Sequence, residues 1–244
     1  MRQVPQKIPL LLIGAGRLAK HLTHYLHLLG YQTLTWSRSE SPEQLMPKIA
    51  AAQRIGLLIR DDALTVFAQE WQHHWQNKTV FHCSGSFLHP EISALHPLMT
   101  FGEDLYELKK YQSILFVGDQ GRKSKEELLP EVPNPFHALP AEQRPLYHAL
   151  CVSSGNLTTL LWSRALKDFE QLGIPKSPVL LYLQTITDNF CRDPEKALTG
   201  PFARRDLATL RSNLRSLSAS PLQGIYTAFL KWFPDLERQT HERS

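Results

Sequence analysis

The sequence predicts an α/β chain, with a doubly wound and mainly parallel sheet followed by an all-α C-terminal domain. Three observations carry this. The apolar run Leu10-Leu11-Leu12-Ile13 ends in glycine and is followed by residues at helical spacing. Apolar runs and helical stretches then take turns as far as about residue 120. From 141 onward the apolar positions keep a period of about 3.6 residues almost throughout. The expected division is 1–120 for the sheet domain and 121–244 for the helical one.

Each element has its reason in the local pattern. The run at 10–13 suits a strand buried on both faces. Over 18–29, Leu18, Leu22, Tyr25, Leu26 and Leu29 share one helical face, and Gly30 closes the helix. Residues 33–36 read as a second strand, completing a strand-helix-strand unit. A short helix is expected over 44–52, a strand over 55–59, a helix over 63–71 and a strand over 79–82 that stops at Cys83-Ser84-Gly85. A further strand is expected over 114–117, closed by Gly118-Asp119, then a short charged helix over 123–129. Pro130, Pro133, Pro135 and Pro140 break up the segment between that helix and residue 141. Leu146, Leu150, Leu157, Leu161, Ala165, Phe169 and Leu172 then predict one long helix ended by Gly173 and Pro175. Helices are expected over 178–190, 205–218 and 221–232, and the polar tail from Asp235 is expected to be disordered.

Composition narrows the function classes. The chain has 244 residues, 42% hydrophobic and 20% charged, within the ordinary globular range. A net charge of +4 with scattered Arg and Lys gives no basic run that would read as a nucleic-acid tail. An anionic small ligand fits the same charge. The three cysteines, Cys83, Cys151 and Cys191, form no CxxC pair, so neither a zinc site nor any other metal site is expected. The apolar run over 8–13 is short, contains Pro9 and leads into a glycine turn, unlike a signal peptide. No stretch approaches the ~20 apolar residues of a spanning helix. A cytoplasmic protein with no nucleic-acid or membrane partner is expected.

Gly14-Ala15-Gly16-Arg17-Leu18-Ala19 is a GxGxxA string between an apolar strand and a helix. The first glycine permits a tight turn, the second lets backbone approach a pyrophosphate, and Ala19 lets helix and strand pack closely. The N–H groups at the start of that helix then face the phosphates. This is the signal of a Rossmann dinucleotide site. At the end of the second strand stand Trp36-Ser37-Arg38. A carboxylate there would bind ribose hydroxyls and repel a 2′-phosphate, whereas a hydroxyl and a guanidinium would hold one. Ser37 and Arg38 therefore predict NADP(H) as cofactor; the alternative is a solvated arginine at a strand end.

The chain resembles the Rossmann-like proteins with a C-terminal helical domain of long-unassigned function, distant relatives of pyrroline-5-carboxylate reductase, prephenate dehydrogenase and the β-hydroxyacid dehydrogenases. The resemblance is carried by the glycine loop, by 81–86 and by His96-Pro97-Leu98. It continues through Tyr147-His148-Ala149 to Ser154-Gly155-Asn156 and through 197–206. It implies a reductase. Because the family includes the PanG class of ketopantoate reductases, it also implies a substrate candidate, 2-dehydropantoate reduced to pantoate. An imine reductase, a hydroxyacid dehydrogenase and a non-catalytic NADP(H)-binding sensor stay open beside it. Relatives often pair through their helical domains, which implies a homodimer.

Reduction of a C=O or C=N bond needs a polarising group and a proton donor beside the hydride. Ser84 and Gly85 leave a strand end where a nicotinamide would lie, and His96 comes next in an expected loop. Prephenate dehydrogenases have a similar Ser then His-Pro arrangement, so the resemblance makes Ser84 and His96 catalytic candidates; a structural turn at His96-Pro97 is the alternative. His148, Val152 and Asn156, four apart, would form one polar stripe bordered by Ser153 on the long helix. In β-hydroxyacid dehydrogenases the comparable helix carries Lys and, four residues on, Asn. Asn156 matches the Asn, but Val152 stands at the Lys position, so His148 or His96 would have to replace that acid. Arg204 is a candidate for a substrate carboxylate, and Ser153 for substrate contact. Arg204 could equally pair with Asp206, which would cap the helix beginning near Leu207.

Overall fold

The computed structural model describes residues 9–233, so the tail from Asp235 lies outside the described residues. Two compact units are present, one up to Ser153 and one from Ser154.

The first unit is built on a seven-stranded sheet of order β2-β1-β3-β4-β5-β6-β7. The strands are β1 (Leu10–Ile13), β2 (Thr33–Trp36), β3 (Arg54–Leu57), β4 (Thr79–His82), β5 (Ser93–Pro97), β6 (Phe116–Asp119) and β7 (Phe136–Leu139). Strands β1 to β5 run parallel; β6 is antiparallel to β5, and β7 is parallel to β6. Around the sheet lie α1 (Arg17–Leu28), α2 (Leu45–Ala51), α3 (Asp61–Trp71), α4 (Leu108–Gln112), α5 (Lys125–Leu128) and α6 (Arg144–Cys151).

The uninterrupted apolar run of β1 has its reason in this order. Leu10 and Leu12 enter one core with Leu22, Tyr25 and Leu26 of α1, while Leu11 and Ile13 enter the other with Leu45 and Ile49 of α2 and Leu64 of α3. A strand covered on both faces has no polar side. Helix α1 ends in a Schellman turn: Gly30 takes a φ of 77°, its N–H reaches the carbonyl of His27, and that of Tyr31 reaches Leu26.

The fold class is the one the sequence predicts, with local corrections. Strand β5 was not foreseen: His96 lies within it, paired with Val117, rather than in a loop. Ala94 and Leu95 are buried, but a five-residue strand ending in proline carries too little alternation to be read. Gly118 and Asp119 belong to β6 rather than closing it. Gly118 makes room for the Phe136 ring, and the Asp119 carboxylate accepts the Ala94 N–H at 2.8 Å. Strand β7 sits among the prolines, at the sheet edge where flanking prolines do little harm. With β7 and α6 the first unit runs to Ser153, past the expected division at 120.

The second unit is helical: α7 (Thr158–Gln171), α8 (Lys176–Arg192), α9 (Gly200–Ala203), α10 (Leu207–Ser216) and α11 (Leu222–Trp232). The long helix expected from 141 runs from Arg144 to Gln171 as α6 and α7, with a π-helical turn, Val152–Leu157, between them. Asp206 caps α10, accepting the Thr209 N–H at 3.1 Å and its hydroxyl at 2.7 Å. No helix among the described residues is long and apolar enough to cross a membrane.

Candidate active site

Strands β1 to β4 end level with one another, since Ile13 is in register with Trp36 and Leu57, and Leu57 with His82. The glycine loop, Ser37 and Ser84 therefore line one edge of the sheet. Strand β5 begins at that edge, Ala94 beside His82, and carries His96 two residues beyond it. This is the carboxyl edge at which open α/β sheets place their ligands.

At one end of the edge the turn from β1 to α1 is shaped for a phosphate. Gly14 has a φ of 140°, and a β-carbon there would collide with the Leu58 carbonyl. Its N–H holds the Trp36 carbonyl at 2.8 Å. Gly16 precedes α1, and nothing stands within 4 Å of where its β-carbon would be. No side chain caps this helix, and its first turn carries no acidic residue. The free N–H groups and the open space suit a diphosphate. Beside the turn lies an open cleft of about 560 Å³, lined by Gly14, Ala15, Ala19, Trp36, Ser37 and Glu40 among others. Ser37 thus faces the cleft; Arg38 is exposed and is not among its lining residues. Leu18 packs against the core, and Arg17 reaches Glu103 at 2.8 Å.

Glu40 is a carboxylate that the reading of Ser37 and Arg38 did not weigh. It accepts the Ser37 N–H at 3.0 Å and is paired with Lys48, which also reaches the Thr35 carbonyl at 2.7 Å. The Lys48 hydrogen bond lowers its pKa, so it is ionised and already matched by a cation.

At the other end α6 faces the sheet with Arg144, Tyr147 and His148, spaced i, i+3 and i+4. The Tyr147 hydroxyl lies 2.6 Å from His96 Nδ1, and the His148 ring stands perpendicular to that of His96 at 6.2 Å. His148 packs on the backbone of Gly85, in the space a β-carbon would take. Burial, then His148 and Arg144, push the His96 pKa down to about 4, while Asp61 opposes them. Neutral imidazole is its state near neutrality.

Ser84 is held fast. Its hydroxyl donates to Asp61, in the first turn of α3, at 2.6 Å and accepts the Phe87 N–H at 3.0 Å. Its carbonyl accepts Arg144 Nη2 at 2.8 Å, and its N–H reaches His82 Nδ1 at 3.2 Å. Arg144 is fully buried, 3.3 Å from Asp119 in an ion pair whose angles do not make a good hydrogen bond. His82 is also fully buried; desolvation, then Arg144, bring its pKa down to about 3.

The structure thus brings Ser84, Gly85, His96 and His148 together, with the Ser84 hydroxyl bound between Asp61 and the Phe87 N–H. Ser153, Asn156 and Arg204 are exposed, the latter two within the helical unit. Val152 and Asn156 of the expected stripe lie in the π-helical turn Val152–Leu157, directly after the α6 residue His148. Asp61, Asp119, Arg144 and Tyr147 were missed. Arg144-x-x-Tyr147-His148 was a legible helical face, but nothing in the sequence says which strand it meets.

No curated protein matches the chain. Solved structures do. A Bacteroides fragilis protein named for an inferred NADP oxidoreductase activity is 22% identical with a TM-score of 0.71, covering 93% of this chain and 98% of its own. A Thermotoga maritima protein is 17% identical with a TM-score of 0.66, covering 95% and 99%. The pyrroline carboxylate reductase of Plasmodium falciparum, solved with NADP bound, is 10% identical with a TM-score of 0.57, covering 93% and 99%. These likenesses establish the fold, a Rossmann-like sheet domain followed by a helical domain, over nearly the whole chain. Within it, residues 117–231 match the family described as a domain of unknown function (DUF2520).

Proposed function

We propose that this protein is an NADP(H)-dependent reductase of a small carbonyl acid. The observation that carries this is the shared sheet edge, with an uncapped glycine turn at one end and the His96–Tyr147–His148 cluster at the other. The glycine turn fits a dinucleotide, and a reduced nicotinamide bound along this edge would supply the hydride. Ser37 and Arg38 would hold the 2′-phosphate, with Glu40 already neutralised by Lys48. The family resemblance and the NADP named with the Plasmodium structure support the same cofactor.

His96 is the group placed to face negative charge developing on a carbonyl oxygen. Ser84 holds the loop that carries Gly85, and Gly85 admits His148 beside His96. A protonated imine gains little from a neutral donor whereas a carbonyl oxygen needs one, which supports a carbonyl substrate. Among carbonyl acids, 2-dehydropantoate is the candidate that the resemblance to the PanG class supplies. Asn156, Ser153 and Arg204 are proposed as its further contacts, with Arg204 for the carboxylate.

The test is NADPH consumption with 2-dehydropantoate, other 2-oxoacids and pyrroline-5-carboxylate, together with rescue of a pantothenate auxotroph. Turnover is expected with a 2-oxoacid. Tight NADPH binding without turnover on any of them would leave a dinucleotide sensor instead.

We also propose a cytoplasmic homodimer. Val179 and Leu210 are the only buried side chains among the described residues of the helical unit, while Leu181, Phe190 and Trp232 are 67%, 57% and 77% exposed. So much apolar surface on one unit suits a second copy. Light scattering should give twice the chain mass; a monomer at micromolar concentration would refute the pairing.

A further inference from the structure

The contact between Tyr147 and His96 has a direction. We propose that the Tyr147 hydroxyl donates to His96 Nδ1 and so fixes His96 as the Nε2–H tautomer, a neutral hydrogen-bond donor aimed at the substrate's carbonyl oxygen. The inference rests on the reductase reading for its last clause only.

Three observations support it. The separation of 2.6 Å is that of a short, well-formed hydrogen bond, and the two rings meet edge-on at 84°. A phenol is the better proton donor of the pair and an imidazole nitrogen the better acceptor, so O–H to N is the favoured arrangement. Both partners keep one protonation state. Burial raises the Tyr147 pKa above that of an ordinary phenol, with Cys151 on the next turn, hydrogen-bonded to the same hydroxyl, adding to the effect, and burial lowers that of His96 to about 4. A thiol S–H donating to the phenol oxygen leaves the single O–H for His96. The charged and titratable groups that face His96 are Arg144, His148 and Tyr147 from α6, with Cys151 behind Tyr147, Asp61 from α3 and His82 from β4, and Asp119 from β6 pairs with Arg144. Among them Asp61 favours the imidazolium, while Arg144 and His148 oppose it. Asp119 is spent on Arg144 and on the Ala94 N–H.

The bond made at one ring nitrogen decides what the other presents. With Nδ1 occupied by Tyr147, Nε2 is left with the hydrogen. His96 then acts by polarising the C=O bond, as neutral imidazoles do elsewhere, rather than as an imidazolium acid. Tyr147 is a positioning residue: it acts through His96.

The test reads the tautomer directly, by nitrogen NMR of the full-length protein with ¹⁵N-labelled histidine, the His96 signals being assigned by their loss in His96→Gln. The expected result is a pyridine-type Nδ1 and a pyrrole-type Nε2 that do not titrate between pH 8 and 5. Tyr147→Phe, which keeps the ring, should release the tautomer toward Nδ1–H. It should also lower kcat by roughly tenfold or more with KM little changed, the scale seen when a supporting hydrogen bond is lost. An Nδ1–H tautomer in the unmodified protein, or no change of tautomer in Tyr147→Phe, would overturn the inference. A confirmed tautomer in a protein that turns over nothing would support the tautomer lock and count against the reductase reading alone.

Discussion

Gly85 gives its side-chain space to His148, whose Nδ1 occupies the position a β-carbon on residue 85 would need. The backbone of Gly85 does not take a left-handed conformation, so the requirement is steric. Gly85→Ala should displace the His148 ring from its place beside His96. We expect a stability loss of about 1–3 kcal/mol, the range for overpacking. A larger fall is expected in kcat than in NADPH affinity. Thermal melts and steady-state kinetics check both, and unchanged turnover would remove His148 from the site.

Gly14 and Gly16 should separate folding from binding. At Gly14 an alanine meets both a positive φ and the Leu58 carbonyl, so Gly14→Ala should lower Tm and abolish dinucleotide binding together. At Gly16 the space is empty and the backbone ordinary, with φ −72°. Gly16→Ala should therefore fold as well as the parent while losing affinity for NADPH, because its methyl group fills the phosphate space. Equal losses of Tm in the two variants would contradict this.

The 2′-phosphate reading makes Arg38 selective. Arg38→Ala should weaken NADPH binding by roughly 10–100-fold, the worth of a hydrogen bond to a charged group, and leave NADH binding nearly unchanged. Fluorescence titration with the two nucleotides decides it. A parent protein that prefers NADH would point instead to Glu40 as the ribose ligand.

Asp119 neutralises a cation that has no water to turn to. Asp119→Asn leaves Arg144 buried with its charge uncompensated and should cost about 3–5 kcal/mol. The double substitution Arg144→Met with Asp119→Leu removes both charges and should lose less than Asp119→Asn alone. Urea unfolding provides the comparison; a smaller loss in the single variant would mean that the pair is solvated.

Stability should fall with acid earlier than carboxylates alone would dictate. His82 and His96 have folded pKa values of about 3 and about 4 against 6.5 in the unfolded chain. The unfolded chain thus takes up protons first. The contribution is complete above pH 6.5 and is lost as pH falls from there toward the folded values, at up to about 1.4 kcal/mol per pH unit for each histidine. His82→Asn keeps an acceptor for the Ser84 N–H but cannot titrate, so its urea midpoint should depend less on pH across that range. An identical slope would place the effect elsewhere.

The sequence by itself determined the alternation from β1 to β4, the glycine turn and the helical C-terminal part. These are written in neighbouring residues: an apolar run ended by Gly14, a helical stripe closed by Gly30, an uncapped helix start after Gly16. It also made His96 and His148 candidates, as single residues without a geometry. Only the tertiary structure decided what they meet. Strand β5 is too short for its pattern to be read, and its place is set by hydrogen bonds to β4 and β6, far away along the chain. The return of α6 over Ser84 then brings Tyr147 within 2.6 Å of a histidine 51 positions earlier. Local propensity carries no term for such a pairing. It is a product of packing, which also set the Ser84 hydroxyl between Asp61 and the Phe87 N–H.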